Sequence, residues 1–413
     1  MGVDAIISQF PALHVSQERD GALMSANRDR SRLTKLLRSF DATLGRTIPG
    51  YEEAKRRYWR PQRPAKGGPP RPLRPEVMEL LPHLDDYKAM FEVFWLPYVM
   101  NCTYPNVRSK TVNTDGYGFR YTIGRDGERL SPEEPPPDEA VNLIVGASVA
   151  FGVGATSDAR TLPSLLTAER GEPWFNMTMR GFTFAQNLVQ ALFFLPKIGT
   201  VRRIVLFGGI NDINQYFLTP IFPRIYGNSF EWMHYFELLN TQFAKTGEDD
   251  YAIPDDFSRY FSRIKEPTAD RAAFEESLRN TLSGFKLLAD GAGARFYVAL
   301  EPVLHSMDRA LSPEESRLMA LKGKGKTRFE RRVGEAYRQW YAPFLQSACS
   351  ELGIGFIDMN KSFGMQPSDS QWLFIDNVHL TDAGTREAAK LINQMIDAIE
   401  QPAKRAASAR VDH

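Results

Sequence analysis

Asp376 and His379 stand three apart in the stretch WLFIDNVHLT, just before the last apolar-periodic segment of the chain. On a turn, a carboxylate at that spacing reaches the Nδ1–H of the histidine. It fixes the tautomer and leaves Nε2 free to take a proton. Such a pair does chemistry only beside a nucleophile. The candidate is Ser148, in VNLIVGASVAFGVGA, at the tip of an apolar strand and the start of a helix. There its Oγ is exposed, its own N–H faces the same space, and the helix N-terminus favours negative charge nearby. Gly181, in NMTMRGFTFAQN, and Asn211, in FGGINDIN, occupy the next two strand-to-helix turns. The N–H of Ser148, the N–H of Gly181 and the side-chain amide of Asn211 can therefore converge on one point. Three donors around a developing oxyanion form an oxyanion hole. Ser148 reads as nucleophile, His379 as base and Asp376 as orienter, in the chain order Ser, Asp, His. No metal and no organic cofactor is required.

Other readings of the glycine-rich turn at 146–154 fail on spacing. Gly146 is followed by Ala147 and Ser148, which breaks the dinucleotide fingerprint G-x-G-x-x-G. No Gly-Lys-[Ser/Thr] follows, so it is not a P-loop. Ala150 stands where the G-x-S-x-G elbow needs its second glycine. Each chosen residue also has a plain reading alone: Ser148 as a helix N-cap, Asn211 as a turn residue, His379 as a core histidine. Their joint occurrence at successive strand ends favours chemistry. Asp212 is expected to brace its loop; His305, after the fourth strand, could touch substrate, but a surface or core histidine is the favoured reading. His14, His83, His234 and His413 show no metal-ligand spacing with one another or with either cysteine.

The elements that must position these residues are legible from Ala140 onward. Short apolar runs (AVNLIVG, PWFNMT, RRIVLFGG, ARFYVALEP, IGFIDM) alternate with amphipathic segments. Five strands alternating with helices indicate a parallel sheet covered on both faces, with ligands bound at the strands' carboxyl ends. Phe274, Leu278, Leu282, Phe285 and Leu288 form one helical stripe, stopped by Gly291. Ala388, Leu391, Ile392, Met395 and Ile399 form another, capped by Thr381. Upstream, RDRSRLTKLLRSFDATL and RPEVMELLPHLDDYKAMFEVFW carry helical patterns on either side of the Pro- and Arg-rich linker YWRPQRPAKGGPPRPLRPE. KTVNTDGYGFRYTI alternates around Asp115-Gly116 as a hairpin does. The main boundary falls in SPEEPPPDEA. That gives an N-terminal extension over 1–138, a catalytic domain over 139–402 and a flexible tail over 403–413. An aromatic-rich insertion over 213–268 is expected to form a lid or pocket wall or to pack on the sheet, and a mobile loop is expected within 302–326.

Composition excludes several classes. The chain has 413 residues, is 43% hydrophobic and 24% charged, and carries a net charge of +1. That suits a packed globular protein with no nucleic-acid footprint. Two cysteines, Cys102 and Cys349, cannot make a disulfide framework and read as free thiols, although one bridge stays open. MGVDAIISQFPALHV lacks the charge-then-apolar order of a signal peptide, and no run approaches the ~18 apolar residues of a membrane span. A cytoplasmic protein without a membrane span is expected.

Four blocks in order resemble the SGNH/GDSL hydrolase superfamily: GASVAFG, Gly181 in RGFTFAQN, GGIND and DNVHLT. The resemblance covers residues 140–400 or so. It implies the three-layer α/β/α, flavodoxin-like SGNH hydrolase fold, with Ser148, Gly181, Asn211 and His379 as the four name-giving positions and Asp376 as the triad acid. It implies a small-molecule or saccharide acyl ester as substrate. One position departs: Ala147 replaces the Asp of the usual Gly-Asp-Ser, an Asp that is not the triad acid. NTDGYGFR resembles a hairpin found upstream of the catalytic domain in larger members. Three functions are compatible: a serine esterase, an acyltransferase using the same triad on a sugar or natural-product acceptor, and a catalytically idle binding or scaffold protein. The sequence does not fix the oligomeric state.

Overall fold

Strand β5 (Val141–Gly146) is buried at every residue, β6 (Trp174–Thr178) likewise, and β7 (Val201–Gly208) at all but one. Runs that are largely apolar and buried, with no in-out alternation, are what a sheet covered on both faces requires. With β8 (Arg295–Leu300) and β9 (Gly355–Asp358) these strands form a sheet ordered β6-β5-β7-β8-β9, parallel at every pairing. This is the flavodoxin-like strand order, whose ligand crevice lies at the carboxyl edge. The computed structural model describes residues 74–90, 93–96, 99–136, 139–218, 270–364 and 371–411. All of them belong to one compact unit, residues 68–413.

Neighbouring residues of each strand face opposite layers, as the pleat demands. Leu143, Val145, Ile204, Leu206, Phe296 and Val298 join one core. It is covered by α4 (Phe184–Ile198), α6 (Arg271–Gly291) and α9 (Ala342–Glu351). Ile144, Val205, Phe207, Tyr297 and Ala299 join the other. That face is covered by α3 (Leu162–Arg170) and α10 (Asp382–Val411). The architecture is the three-layer α/β/α sandwich expected. The α6 stripe is buried at Phe274, Leu278, Leu282 and Phe285. On α10 the stripe turns slightly from the expected one: Ile396 is fully buried and Ile399 is 43% exposed.

Several expectations change. The segment expected as a mobile loop holds α7 (Pro313–Ala320) and the start of α8 (Lys324–Ala336). Ser312 and Glu315 form a capping box with Pro313 at the first helical position, which nucleates α7 despite the glycines that follow. The helical pattern over RPEVMELLPHLDDYKAMFEVFW is broken at its proline. Only α1 (Pro75–Leu80) is α-helix, a 3-10 stretch follows over Pro82–Met90, and β1 (Val93–Leu96) pairs antiparallel with β2 (Met100–Thr103). Downstream, β3 (Thr122–Ile123) pairs with β4 (Arg129–Leu130). The expected Asp-Gly turn is wider than two residues. Asp115 Oδ1 accepts from the N–H groups of Tyr117 and Phe119, and Gly118 takes φ 89°. The first expected helix, RDRSRLTKLLRSFDATL, lies outside the described residues. So does residue 219 onward of the insertion, its first residues belonging to α5 (Ile210–Leu218). No helix among the described residues is long and apolar enough to cross a membrane. Cys102 and Cys349 are free and buried, and burial pushes both thiols up to about 12.

Candidate active site

Register brings the chosen residues to one edge. Gly146 pairs with Thr178 on one side and Phe207 on the other, and Gly208 pairs with Leu300. Ser148, Gly181, Asn211 and Glu301 follow these strand ends directly. A side chain at Gly146 would meet the carbonyl oxygen of Phe207 at 2.2 Å and Cβ of Ala150 at 2.7 Å. The helix bearing Ser148 thus sits tight against the sheet, where only glycine fits. That helix, α2 (Ser148–Phe151), is a single turn stopped by Gly152 in the left-handed conformation.

So short a helix cannot hold itself, and its carbonyl end is held from outside. Arg120, fully buried, donates to the carbonyl of Gly152 at 2.8 Å and to that of Phe151 at 3.4 Å. Its Nε pairs with Asp158 at 2.8 Å, its second terminal nitrogen donates to the Thr111 carbonyl at 2.7 Å, and Asn113 donates to the other Asp158 oxygen at 2.7 Å. Tyr87 donates to the carbonyls of Gly152 and Ala155. The hairpin region upstream of the sheet is therefore bonded directly to the turn that bears Ser148.

Asp376 and His379 lie on a tight loop closed by an antiparallel bridge between Phe374 and Leu380 and by a bond from Ile375 N–H to the His379 carbonyl. Asp376 Oδ1 accepts from the backbone N–H groups of Val378 and His379, both at 2.8 Å. Its Oδ2 lies 2.7 Å from His379 Nδ1, and His379 Nε2 lies 2.8 Å from Ser148 Oγ. Burial works against ionisation of Asp376. The imidazole charge, the bond to the ring and the two backbone donors outweigh it and hold the carboxyl well below the usual carboxylate range. Burial likewise lowers the affinity of His379 for a proton, but the charge and hydrogen bond of Asp376, with a smaller pull from Glu301, raise it overall. The carboxylate remains 38% exposed and the imidazole 21%, so solvent screens both effects. The loop is supported from below by Glu315, fully buried, whose Oε1 accepts from the N–H groups of Leu373 and Phe374 at 3.0 Å.

Gly181 takes φ 73°, a conformation a residue with a side chain rarely adopts. Next to it, the Phe182 carbonyl accepts from Asn211 Nδ2 at 2.9 Å. Asn211 thus locks the second turn to the third, and its amide carries a second hydrogen besides the one engaged there. Asp212, expected to brace its own loop, instead ties it to the start of α4, accepting from Phe184 N–H at 3.1 and 3.2 Å. His305 does not join the triad. It lies beside Glu330, with Nε2 at 3.7 Å from the carboxylate.

Sequence reasoning missed Glu301, Arg120 and Asp158. Glu301 immediately follows β8 and is 1% exposed. Its Oε1 accepts from Ile210 N–H at 2.8 Å, steadying the residue before Asn211, while its Oε2 has no protein partner among the described residues. Burial pushes Glu301 up to about 7 and Asp212 up to about 8. The available signal was a charge closing an otherwise apolar strand, as in RFYVALEP. Among the described residues no group of three or more His, Cys, Asp or Glu side chains could hold a metal ion.

No protein-family model matches the chain, and no curated protein matches it. Among solved structures it is similar to a lipase/acylhydrolase from Enterococcus faecalis (13% identity, 63% of this chain and 96% of that chain, TM-score 0.33). It is similar also to a member of the lipolytic protein G-D-S-L family from Veillonella parvula (16%, 61% and 95%, 0.34) and to an acetyl xylan esterase (12%, 62% and 99%, 0.33).

Proposed function

We propose that the chain is a serine hydrolase of the SGNH/GDSL type that cleaves a carboxylic ester. The observation that carries this reading is the continuous hydrogen-bonded run Asp376–His379–Ser148, at 2.7 and 2.8 Å. A lone N-cap serine has no reason to meet an imidazole already oriented by a carboxylate.

In this reading Ser148 Oγ attacks the acyl carbon as Nε2 of His379 takes its proton. The oxyanion that forms is held by the N–H of Ser148, the N–H of Gly181 and the second amide hydrogen of Asn211. The tetrahedral intermediate collapses, His379 returns the proton to the departing alkoxide, and the alcohol leaves. Water then attacks the acyl-enzyme by the same route, restoring Ser148 and releasing the acid. Asp376 stays ionised throughout and stabilises the imidazolium. The test is labelling of the full-length protein by a fluorophosphonate, together with turnover of p-nitrophenyl acetate. Wild type is expected to label at Ser148 and turn over the ester, and Ser148→Ala to do neither while keeping its melting temperature. Unlabelled wild type, or undiminished turnover in the variant, rejects the reading.

A further inference from the structure

The junction of α7 and α8 breaks two ordinary rules of helix electrostatics. The first turn of α8 contains no acidic residue and its N-cap, Gly323, offers no side-chain acceptor. Lysines stand there at 324 and 326, where the helix dipole disfavours cations. Further along, Lys324, Arg328 and Arg331 are spaced four and then three apart, which stacks three like charges on one face of the helix. None of these three forms an ion pair within the described residues. Local rules broken without an evident internal compensation point to a function.

These cations line a cavity of about 580 Å³ together with Lys322, Arg332 and Glu335. Five positive side chains and one carboxylate line it, and of the five Lys322 is already paired with Glu330. The cavity is tied to the triad through contiguous contacts. Lys322, only 11% exposed, binds Glu330 at 2.9 Å, and Glu330 lies 3.7 Å from His305. Residues 304 and 305 donate their backbone N–H groups to Asn377, at 2.8 Å to its carbonyl and 3.3 Å to its side chain, and Asn377 adjoins Asp376. α8 presses so closely on that turn that a side chain at Gly334 would meet the His305 carbonyl oxygen at 2.5 Å. The charge on Lys322 also reaches the His379 ring, where it opposes protonation.

We propose that this cavity binds an anionic group (phosphate, sulfate or carboxylate) carried by the ester that Ser148 cleaves. The inference rests on the hydrolase reading above and adds the substrate's charge class to it. A phosphate or carboxylate fits the need of such a site, since it accepts from several backbone and ammonium or guanidinium donors at once.

The test uses matched pairs of esters that differ only in charge. Mono-p-nitrophenyl adipate against p-nitrophenyl hexanoate places the anion on the acyl side. 4-Acetoxybenzenesulfonate against 4-acetoxybenzenesulfonamide places it on the alcohol side. For the full-length protein, kcat/KM is expected to favour the anionic member of at least one pair tenfold or more. That ratio is expected to fall toward one in Lys324→Glu/Arg328→Glu/Arg331→Glu, and in wild type as salt is raised from 0.05 to 0.5 M. The salt series decides the matter even if the variant folds poorly. Turnover of the neutral esters with no anionic preference in either pair overturns the inference and leaves the hydrolase reading standing. A preference insensitive to both salt and the variant overturns it too. No turnover of any ester, with no fluorophosphonate labelling, removes both.

Discussion

His379 Nε2 lies 2.8 Å from Ser148 Oγ, a residue 231 positions away, while Nδ1 of the same ring lies 2.7 Å from Asp376, three positions away. The short-range contact is set by a local loop. The long-range one exists only because β5 and the 372–381 segment finish at the same edge of the sheet. Orientation of the base is therefore local, and assembly of base with nucleophile is a property of the whole fold.

The raised proton affinity of His379 gives a pH dependence with a definite sign. The base must be neutral to accept the Ser148 proton. The rising limb of kcat/KM for p-nitrophenyl acetate is therefore expected above the ordinary histidine value of about 6.5. In Asp376→Asn the carboxylate charge is gone, so the limb moves to lower pH, and kcat falls on the order of 10⁴-fold because the tautomer is no longer fixed. In stability the pair acts oppositely at its two ends. Protonated His379 stabilises the fold below about 6.5, and this is lost as pH rises through its folded value. Ionised Asp376 stabilises it above about 3.9, and this is lost as pH falls. A rising limb at or below 6.5 in wild type contradicts the arrangement.

Asn211 is expected to act in the transition state and in the ground-state turn together. Asn211→Ala removes one oxyanion donor and is expected to lower kcat by ~10²–10³ with little change in KM. It also frees the Phe182 carbonyl, a loss of about 1 kcal/mol in unfolding free energy. Urea titration and steady-state kinetics on one preparation separate the two. A KM effect with unchanged kcat would place Asn211 outside the oxyanion site.

Much of this was legible beforehand because strand-to-helix turns impose local rules. A continuous apolar run must be a covered strand, so its end must lie at the sheet edge, and Ser148, Gly181 and Asn211 follow by position. The loop of Asp376 and His379 was legible because a three-residue reach is short. Arg120 was not. Its partners, the carbonyls of Phe151 and Gly152, lie at a helix end that comes after one turn, and neither composition nor periodicity marks such a stop. Glu301 was hidden differently, since its role is a bond to the N–H of residue 210 across the β7–β8 pairing. The mobile loop expected at 302–326 is helical instead, because the Ser312–Glu315 capping box starts α7 ahead of the glycines.

Arg120 offers a way to separate positioning from stability. Arg120→Met leaves Asp158 buried and unpaired, at a cost of about 3–5 kcal/mol. Arg120→Met/Asp158→Asn removes the orphaned charge, so much of that stability is expected to return. The bonds from Arg120 to the carbonyls of Phe151 and Gly152 are still missing and only the Tyr87 bond to Gly152 remains from the hairpin side, so kcat for p-nitrophenyl acetate and the rate of fluorophosphonate labelling are expected to stay depressed at least tenfold. Recovery of both stability and kcat in the double variant would reduce Arg120 to a structural role.

Glu301 makes the last prediction, and its sign follows from burial. Its carboxyl is pushed from 4.5 up to about 7, so the folded protein holds a proton there that the unfolded chain has already released. Stability contributed at this position therefore falls as pH rises from about 4.5 to about 7, then levels off. Asp212, raised to about 8, adds a second decline over a higher range. Glu301→Gln keeps an oxygen for Ile210 N–H and cannot ionise. Its unfolding free energy is expected to lose the part of the decline that wild type shows between those values. Because the charge on Glu301 raises the proton affinity of His379, the same variant is expected to move the rising limb of kcat/KM to lower pH. Glu301→Ala instead strands the N–H of Ile210, at about 1–3 kcal/mol, and loosens the turn before Asn211. The two substitutions should therefore diverge: Gln shifts the pH profile with little loss of kcat, and Ala lowers kcat. Identical behaviour of the two would mean that the bond to Ile210 does not steady the turn bearing Asn211.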